Sequence, residues 1–358
     1  MMSRFWVDKM KALQPYVPGE QPQTPSLIKL NTNEHALTPP DSVMQAIAAV
    51  GADQLRRYPD PEATTLCRAI ARVEGLHPDQ VFVGNGSDEV LAHLWLAFLA
   101  DRSVQTLDTT YGFYPVWATL YGSDLHEVPV NPDFSVDLSA LKASPLPVVL
   151  ANPNAPTGLA ISREEVESLV IDNRDRLVVI DEAYFGFGAE SSAPLVHDYD
   201  NLLVTRSLSK SHALAGMRIG YALAHPDLIE GLRRVKDSFN SYPLDCIAQV
   251  AATAAIEDQE WFREATGRVV ANRQAMISAL SALGFEVLPS AANFIFVKHP
   301  YGQGEQIFAA LRAADILVRR WDKPRIGDWL RISVGDEAQT QRLLSVTEEI
   351  VTGLSENC

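Results

Sequence analysis

From residue 80 onward, short apolar runs alternate with longer stretches of helical periodicity. Residues 81–83, 103–107, 124–130, 147–150, 177–180, 202–205 and 219–223 read as strands. Their Val/Ile/Leu runs are nearly continuous rather than alternating, which predicts strands covered on both faces. Ahead of them, Pro39-Pro40 introduces an amphipathic helix over 41–50, with Asp41 as its cap, and 61–72 predicts a second helix. A third helix is expected over 89–99, and a long helical region over 244–283. Such a sequence of elements predicts an α/β fold: a large domain with a mostly parallel central sheet, flanked by helices.

The texture changes after that region. Runs at 285–288, 293–297, 316–319 and 330–334, with helices over 304–314 and 337–354, suggest a smaller α+β domain. The expected division is an N-terminal arm, 1–35, partly joining the small domain, a large domain over 36–270 and a small domain over 271–358. A ligand is then expected in the cleft between domains, at the carboxyl ends of the parallel strands.

The length of 358 residues suits two domains, given a soft prior of ~150 residues for each. Lys and Arg number 30 against 45 Asp and Glu, so the net charge of −15 speaks against nucleic acid and anionic membranes as partners. A phosphate ligand needs a local arginine cluster working against that field. Cys67, Cys246 and Cys358 lack ligand spacing and predict neither a disulfide framework nor a metal site. No apolar run reaches a transmembrane length or forms a secretory signal, so a soluble, cytoplasmic protein is expected.

Candidate chemistry gathers at the strand ends. Lys210 closes Ser207-Leu-Ser-Lys, directly after the 202–205 strand, where partial desolvation and nearby cations favour a neutral, nucleophilic amine. Asp181 ends the 177–180 strand, a costly place for a carboxylate without a cationic partner. Its neighbour Glu182 is an equal candidate for the functional acid. Tyr184 offers a phenol, and the two-proline loop Asn152-Pro-Asn-Ala-Pro-Thr-Gly158 places Asn154 in the same layer. Gly84-Asn-Gly-Ser-Asp88 reads either as a phosphate-gripping helix start, through Gly86 and Ser87, or as a capped turn. Ser207, Ser209 and Arg218 supply charge-assisted donors for a phosphate. Tyr111 or Tyr114 can stack on a ring or simply pack, and His212 reads as a packed residue. Arg319, Arg320 and Arg331 flank the last strand pair; Arg331, between Leu330 and Ile332, suits a phosphate or carboxylate. A lysine, a carboxylate, a phenol and hydroxyls on neighbouring strand ends are the parts that hold pyridoxal phosphate.

Taken together these segments resemble the fold-type I pyridoxal-phosphate aminotransferases, and most closely the histidinol-phosphate aminotransferase group. The resemblance spans almost the whole chain, from Tyr16-Val-Pro-Gly19 and Asn31-Thr-Asn33-Glu34 through Arg57-Tyr-Pro59, Asp181-Glu-Ala-Tyr184 and Ser207-Leu-Ser-Lys210 to Leu330-Arg-Ile-Ser-Val-Gly335. It implies that Lys210 forms the Schiff base with pyridoxal 5'-phosphate and that Asp181 binds the pyridine nitrogen. Asn154 and Tyr184 are implied at the ring oxygen, and Tyr111 on the ring face. Gly86, Ser87, Ser207, Ser209 and Arg218 are implied around the phosphate. Tyr58 resembles a residue that reaches the cofactor of the neighbouring subunit, which implies a homodimer with shared active sites. Tyr16, Asn33, Arg319 and Arg331 match positions lining the substrate pocket.

The implied reaction moves an amino group between L-histidinol phosphate and 2-oxoglutarate, with small-molecule donor and acceptor and no metal. An aromatic amino-acid aminotransferase or a threonine-phosphate decarboxylase of the same fold is the alternative; a non-catalytic binding protein is disfavoured by Lys210 and Asp181. Two departures, His35 after Asn33-Glu34 and Asp336 after Gly335, are expected on the substrate side.

Overall fold

Seven strands form the central sheet of the computed structural model, which describes residues 3–22, 27–300 and 304–355. In chain order the strands are β1 (Ile28–Lys29), β2 (Val81–Gly84), β3 (Ser103–Leu107), β4 (Asp124–Val128), β5 (Val148–Ala151), β6 (Val178–Asp181), β7 (Leu202–Ser207), β8 (Gly220–Ala224), β9 (Glu286–Val287), β10 (Phe294–Lys298), β11 (Ile316–Leu317) and β12 (Trp329–Ser333). The large sheet runs β2-β8-β7-β6-β5-β3-β4, with β7, β6, β5, β3 and β4 parallel and β8 antiparallel to both of its neighbours. The expected α/β architecture is present, with a largely parallel sheet.

Alternation along buried strands sends consecutive side chains to opposite faces. Val148, Leu150, Val178, Ile180 and Val204 pack on one side with Leu66, Ile70 and Ala251. Val149, Val179 and Leu203 pack on the other with Leu91, Trp95 and Ile229. Both faces are therefore dry, and the apolar runs follow from that. Edge strand β4 is the exception: Asp124, His126 and Glu127 are exposed, a charge pattern that discourages pairing with another chain.

Several boundaries move for local reasons. The helix expected over 41–50 is Asp41–Ala48, and Pro40 occupies the cap position, so Asp41 is a first-turn acid rather than the cap. The helix expected over 61–72 is Thr64–Glu74, because the Asp60 carboxylate accepts from the amides of Glu62 and Thr64 and holds a turn before it. The 244–283 region splits into Cys246–Glu257 and Gln259–Ala282, where the Asp258 side chain caps the second helix. Helices Tyr114–Tyr121, Arg163–Asp172 and Pro226–Phe239 are additional to the elements expected from the sequence pattern.

The C-terminal sheet, β12-β10-β9, packs Phe294, Ile295, Leu330 and Ile332 against Met276, Leu280, Leu311 and Leu343. Leu30 belongs to the same apolar cluster, and β1 pairs in parallel with β11, so the N-terminal arm is stitched to this layer. Helix Gln259–Ala282 runs unbroken through position 270 and bridges the two layers. Among the described residues no helix is long and apolar enough to cross a membrane, and no group of His, Cys, Asp or Glu could hold a metal. Cys67 is buried, which pushes its thiol up to about 12; Cys358 lies outside the described residues.

One buried ionic knot ties the sheet to its covering helices. Arg206 donates from Nε to Glu182 at 3.0 Å and from Nη1 to Glu74 at 2.5 Å, with its guanidinium 3.5 Å from the Phe185 ring centroid. Arg206→Met strands two buried carboxylates, so the chain should lose about 3–5 kcal/mol of unfolding free energy. Urea titration followed by circular dichroism reads the loss; an unchanged midpoint would show the knot to be energetically idle.

Candidate active site

The carboxyl ends of β5, β6 and β7 lie side by side, with Ala151 opposite Asp181 and Asp181 opposite Thr205. A cavity of about 330 Å³ opens over them. At its floor are Asp181, Tyr184, Tyr111 and Lys210; at one end Ser87, Ser207, Ser209 and Arg218; toward the C-terminal layer Tyr16, Asn33, Arg319 and Arg331. Twelve of the expected residues thus meet in one space, drawn from segments up to 315 positions apart, Tyr16 to Arg331.

Asp181 is buried and has no cation within ion-pair distance among the described residues. Tyr114 donates to Oδ2 at 3.0 Å, and Thr205 to Oδ1 at 3.1 Å. Burial pushes the carboxyl up to about 6, against the pull of those hydrogen bonds. A carboxylate so placed favours a positively charged ligand group.

Lys210 sits in the short helix Leu208–Ser211, started by Ser207, whose hydroxyl accepts from the Ser209 amide at 3.1 Å. Its Nζ donates to the Thr32 carbonyl at 2.9 Å and forms no ion pair among the described residues. Burial chiefly, helped by the like charges of Arg331 and Arg218, brings the amine down to about 8. A substantial neutral fraction near pH 8 makes it a competent nucleophile.

At the Ser87 end, Arg218 donates to Ser209 Oγ at 3.4 Å and pairs with Asp88 at 3.1 Å, leaving a half-exposed guanidinium over the start of helix Ser87–Leu94. Gly86 does not line the cavity, yet it is required. At its φ of +90° an added Cβ would stand 2.6 Å from Arg218 Nη2. Gly220 is equally constrained, because its Cβ would lie 2.2 Å from the Ser87 nitrogen. Hydroxyls, amides at a helix start and a guanidinium make an anion cradle.

Arg331 and Arg319 flank the opposite end. Arg331 donates from Nη2 to the Asn31 carbonyl at 2.9 Å, and its Nε has no partner. Both guanidiniums lie over the Trp321 ring, 5.1 and 5.5 Å from its centroid, and neither has a carboxylate within 4.0 Å among the described residues. A second cavity of about 440 Å³, lined also by Tyr16, Tyr111, Arg319 and Arg331, continues outward from this point. Arg320 faces elsewhere, toward Glu305 and Asp322.

The structure separates several alternatives. Glu182 belongs to the Arg206 knot on the other side of the chain and is not the cavity acid. His212 is packed against Phe262 with its pKa held down at about 3 by burial. Tyr111 lines the cavity and donates to Asp88 at 3.0 Å, while Tyr114 lies beneath it as a donor to Asp181. Asn154 sits outside the lining: both its N–H bonds end on Thr109 and Thr157, and its oxygen accepts from Thr110. Tyr58 is 81% exposed, stacked on Tyr242 and not among the residues that line this chain's cavity.

Neither departure lies on the substrate side as expected. His35 is packed between Phe187 and Trp261 with its Nδ1 accepting from the Leu37 amide, and Asp336 exchanges hydrogen bonds with Gln339 to cap the last helix. Residues the sequence reading did not assign are Thr205, Glu34 and Thr32, and Asp88 was read only as part of a turn. Thr205 stands opposite Asp181 in register, a signal that needs the strand pairing to be seen.

The chain compares closely with known proteins over the same elements. The family description aminotransferase class I and II matches residues 25–346. The chain belongs to that family. It is 51% identical to histidinol-phosphate aminotransferase 1 of Bradyrhizobium diazoefficiens, over 98% of this chain and 100% of the relative. Histidinol-phosphate aminotransferase of Acinetobacter baylyi is 48% identical over 96% of each. Among solved structures, histidinol-phosphate aminotransferase from Sinorhizobium meliloti, in complex with pyridoxal-5'-phosphate, superposes with a TM-score of 0.88 at 28% identity, covering 99% of both chains. Family membership makes this chain a transaminase.

The raised Asp181 carboxyl carries a consequence for the cofactor-free protein. With a folded value of about 6 against an unfolded 3.8, the folded state holds the extra proton. The stabilisation is fully present below 3.8 and lost as pH rises through about 6, an effect on the order of 3 kcal/mol. Urea unfolding of the cofactor-free chain at pH 4, 5, 6 and 7.5 should show this term, and Asp181→Asn should flatten it; identical slopes for the two proteins would contradict the assignment of the shift.

Proposed function

We propose that this chain is a cytoplasmic histidinol-phosphate aminotransferase, acting as a homodimer with pyridoxal 5'-phosphate and exchanging an amino group between L-histidinol phosphate and 2-oxoglutarate. The observation that carries the reading is a complementary set of groups in one cavity: an acid at Asp181 and an amine at Lys210, neither in an ion pair among the described residues, with guanidiniums at both ends. Pyridoxal phosphate fits that set, since its ring nitrogen, aldehyde and phosphate call for an acid, an amine and an anion cradle respectively. The relatives at 48–51% identity carry this substrate in their names.

When bound, the cofactor supplies a carbonyl for amine capture and an electron-withdrawing ring that stabilises negative charge at the substrate α-carbon. Asp181 holds a proton on the ring nitrogen, a charge fixed in advance where electron density gathers. Lys210 Nζ would hold the cofactor through its carbonyl and, once freed by the substrate amine, would carry the proton off the α-carbon. Its depressed pKa suits both roles near neutrality. Ser87, Ser207, Ser209 and Arg218 grip the cofactor phosphate, with Gly86 allowing Arg218 its approach. Tyr111 covers the ring face, and Tyr184 serves the ring oxygen, with Asn154 reading as support behind it. Tyr58 of the partner subunit completes the phosphate cradle. Its exposed stack with Tyr242 is consistent with a surface that meets a second copy.

Arg319 and Arg331 bind the substrate phosphate in one half-reaction and the glutamate carboxylate in the other, beside Tyr16 and Asn33. The small domain, taken as 271–358 with part of the 1–35 arm, brings these residues against the large domain, 36–270. Single-turnover spectra of the holoenzyme with a panel of amines test the substrate. Fast conversion of histidinol phosphate is expected. Inertness toward it with rapid turnover of aromatic amino acids, or carbon dioxide release from threonine phosphate, would overturn the assignment. Lys210→Ala should lose the borohydride-reducible adduct entirely. Arg331→Ala should lower kcat/KM about 100-fold, on the order of 3 kcal/mol, while leaving cofactor absorbance intact.

A further inference from the structure

The Asp181 carboxylate has about four acceptor positions, two on each oxygen. Oδ1 accepts from Thr205 Oγ1 at 3.1 Å and from the Ala183 amide at 3.2 Å, so it is fully used. Oδ2 accepts from Tyr114 at 3.0 Å, and its second position is left for the cavity that Asp181 lines. The oxygen available to a ligand is thus the one that Tyr114 already touches.

Tyr114 is built to hold that contact. It opens the helix Tyr114–Tyr121, is fully buried, and stacks on Trp95 at 5.8 Å with Trp117 at 6.2 Å. The Tyr111 ring stands edge-on to it at 5.5 Å, between its ring and the cavity space. Inside this aromatic box the hydroxyl has one described acceptor, Asp181.

We propose that Tyr114 is a positioning residue for the reaction: its hydroxyl keeps Asp181 ionised and aims Oδ2 at the cationic ring nitrogen of the cofactor. The inference rests on the pyridoxal-phosphate reading of the cavity and extends it to a residue outside the cavity lining. The other ionisable groups around Asp181 do not replace this contact. Asp88 from helix Ser87–Leu94 acts on it by repulsion. Glu34, Tyr16, Tyr111, Tyr184, Lys210, Arg218, Arg319 and Arg331 share the cavity without a described hydrogen bond to it.

Loss of one charge-assisted hydrogen bond makes the carboxylate easier to protonate. Below the Asp181 pKa, binding a cationic ring requires a proton to leave, so cofactor affinity falls as pH falls. The experiment is the dissociation constant of pyridoxal phosphate for the cofactor-free full chain, read by fluorescence quenching from pH 5 to 9. Tyr114→Phe should raise the midpoint of that fall by about 1–2 pH units and weaken binding about tenfold near pH 6, with little change at pH 9. A purely structural role predicts an equal loss at every pH; that result, or an unmoved midpoint, overturns the proposal. Absence of wild-type binding at any pH would instead sink the cofactor reading itself. Should the Phe variant fail to fold, the full chain with 3-fluorotyrosine introduced at position 114 alone gives the second arm. Its more acidic phenol is a stronger donor and must bring the midpoint down, and a static or rising midpoint overturns the assignment.

Discussion

A carboxylate placed at the dry end of a buried strand is the constraint from which the site follows. Asp181 ends β6 with both faces of the sheet covered, so it cannot reach bulk water, and the chain gives it donors but no cation. The next residue shows what the chain does when a buried acid is structural: Glu182 is closed off by Arg206, Ser191 and the Ser192 amide. Two adjacent carboxylates, turned to opposite sides by strand geometry, have opposite fates. One is neutralised by the fold, and the other is left for a ligand.

The same logic explains why a chain of net charge −15 concentrates positive charge inside its cavity. Arg218, Arg331 and Lys210 face a space whose acids are Asp181, Asp88 and Glu34, and repulsion from the two arginines helps lower the pKa of Lys210. An arriving anion relieves that repulsion. Anion binding and amine activation therefore oppose each other to a degree: an anion at Arg331 or Arg218 would offset part of the field that depresses Lys210, leaving burial as the larger cause.

Much of this was legible in the sequence because buried parallel strands write themselves as unbroken apolar runs. The 103–107 strand matches β3 at both ends, and Lys210 and Asp181 could be placed because each follows such a run, while Arg218 stands just ahead of one. What sequence could not settle depended on side and depth. Asp181 and Glu182 differ only in which way they point, which is fixed by pairing with β7 rather than by local composition. Tyr111 and Tyr114 occupy one short motif, yet the first reaches the cavity and the second turns beneath it because the helix begins between them. His35 and Asp336 lie near pocket residues in sequence, but one packs under Trp261 and the other caps a helix.

The segment 31–33 shows how the site is assembled from distant parts. The Thr32 carbonyl receives Lys210, and the Asn31 carbonyl receives Arg331. Asn33, held at a φ of +56°, donates to Tyr184 and exchanges hydrogen bonds with Ser333, while Asn293 donates to its carbonyl. These few residues thus touch the Lys210 amine, the Tyr184 phenol and the Arg331 guanidinium at once. Because β1, just before them, is paired to β11 in the C-terminal layer, any shift of that layer is transmitted to all three groups. The arm acts less as a cover than as a joint: it makes the geometry at Lys210 depend on the layer that carries Arg319 and Arg331.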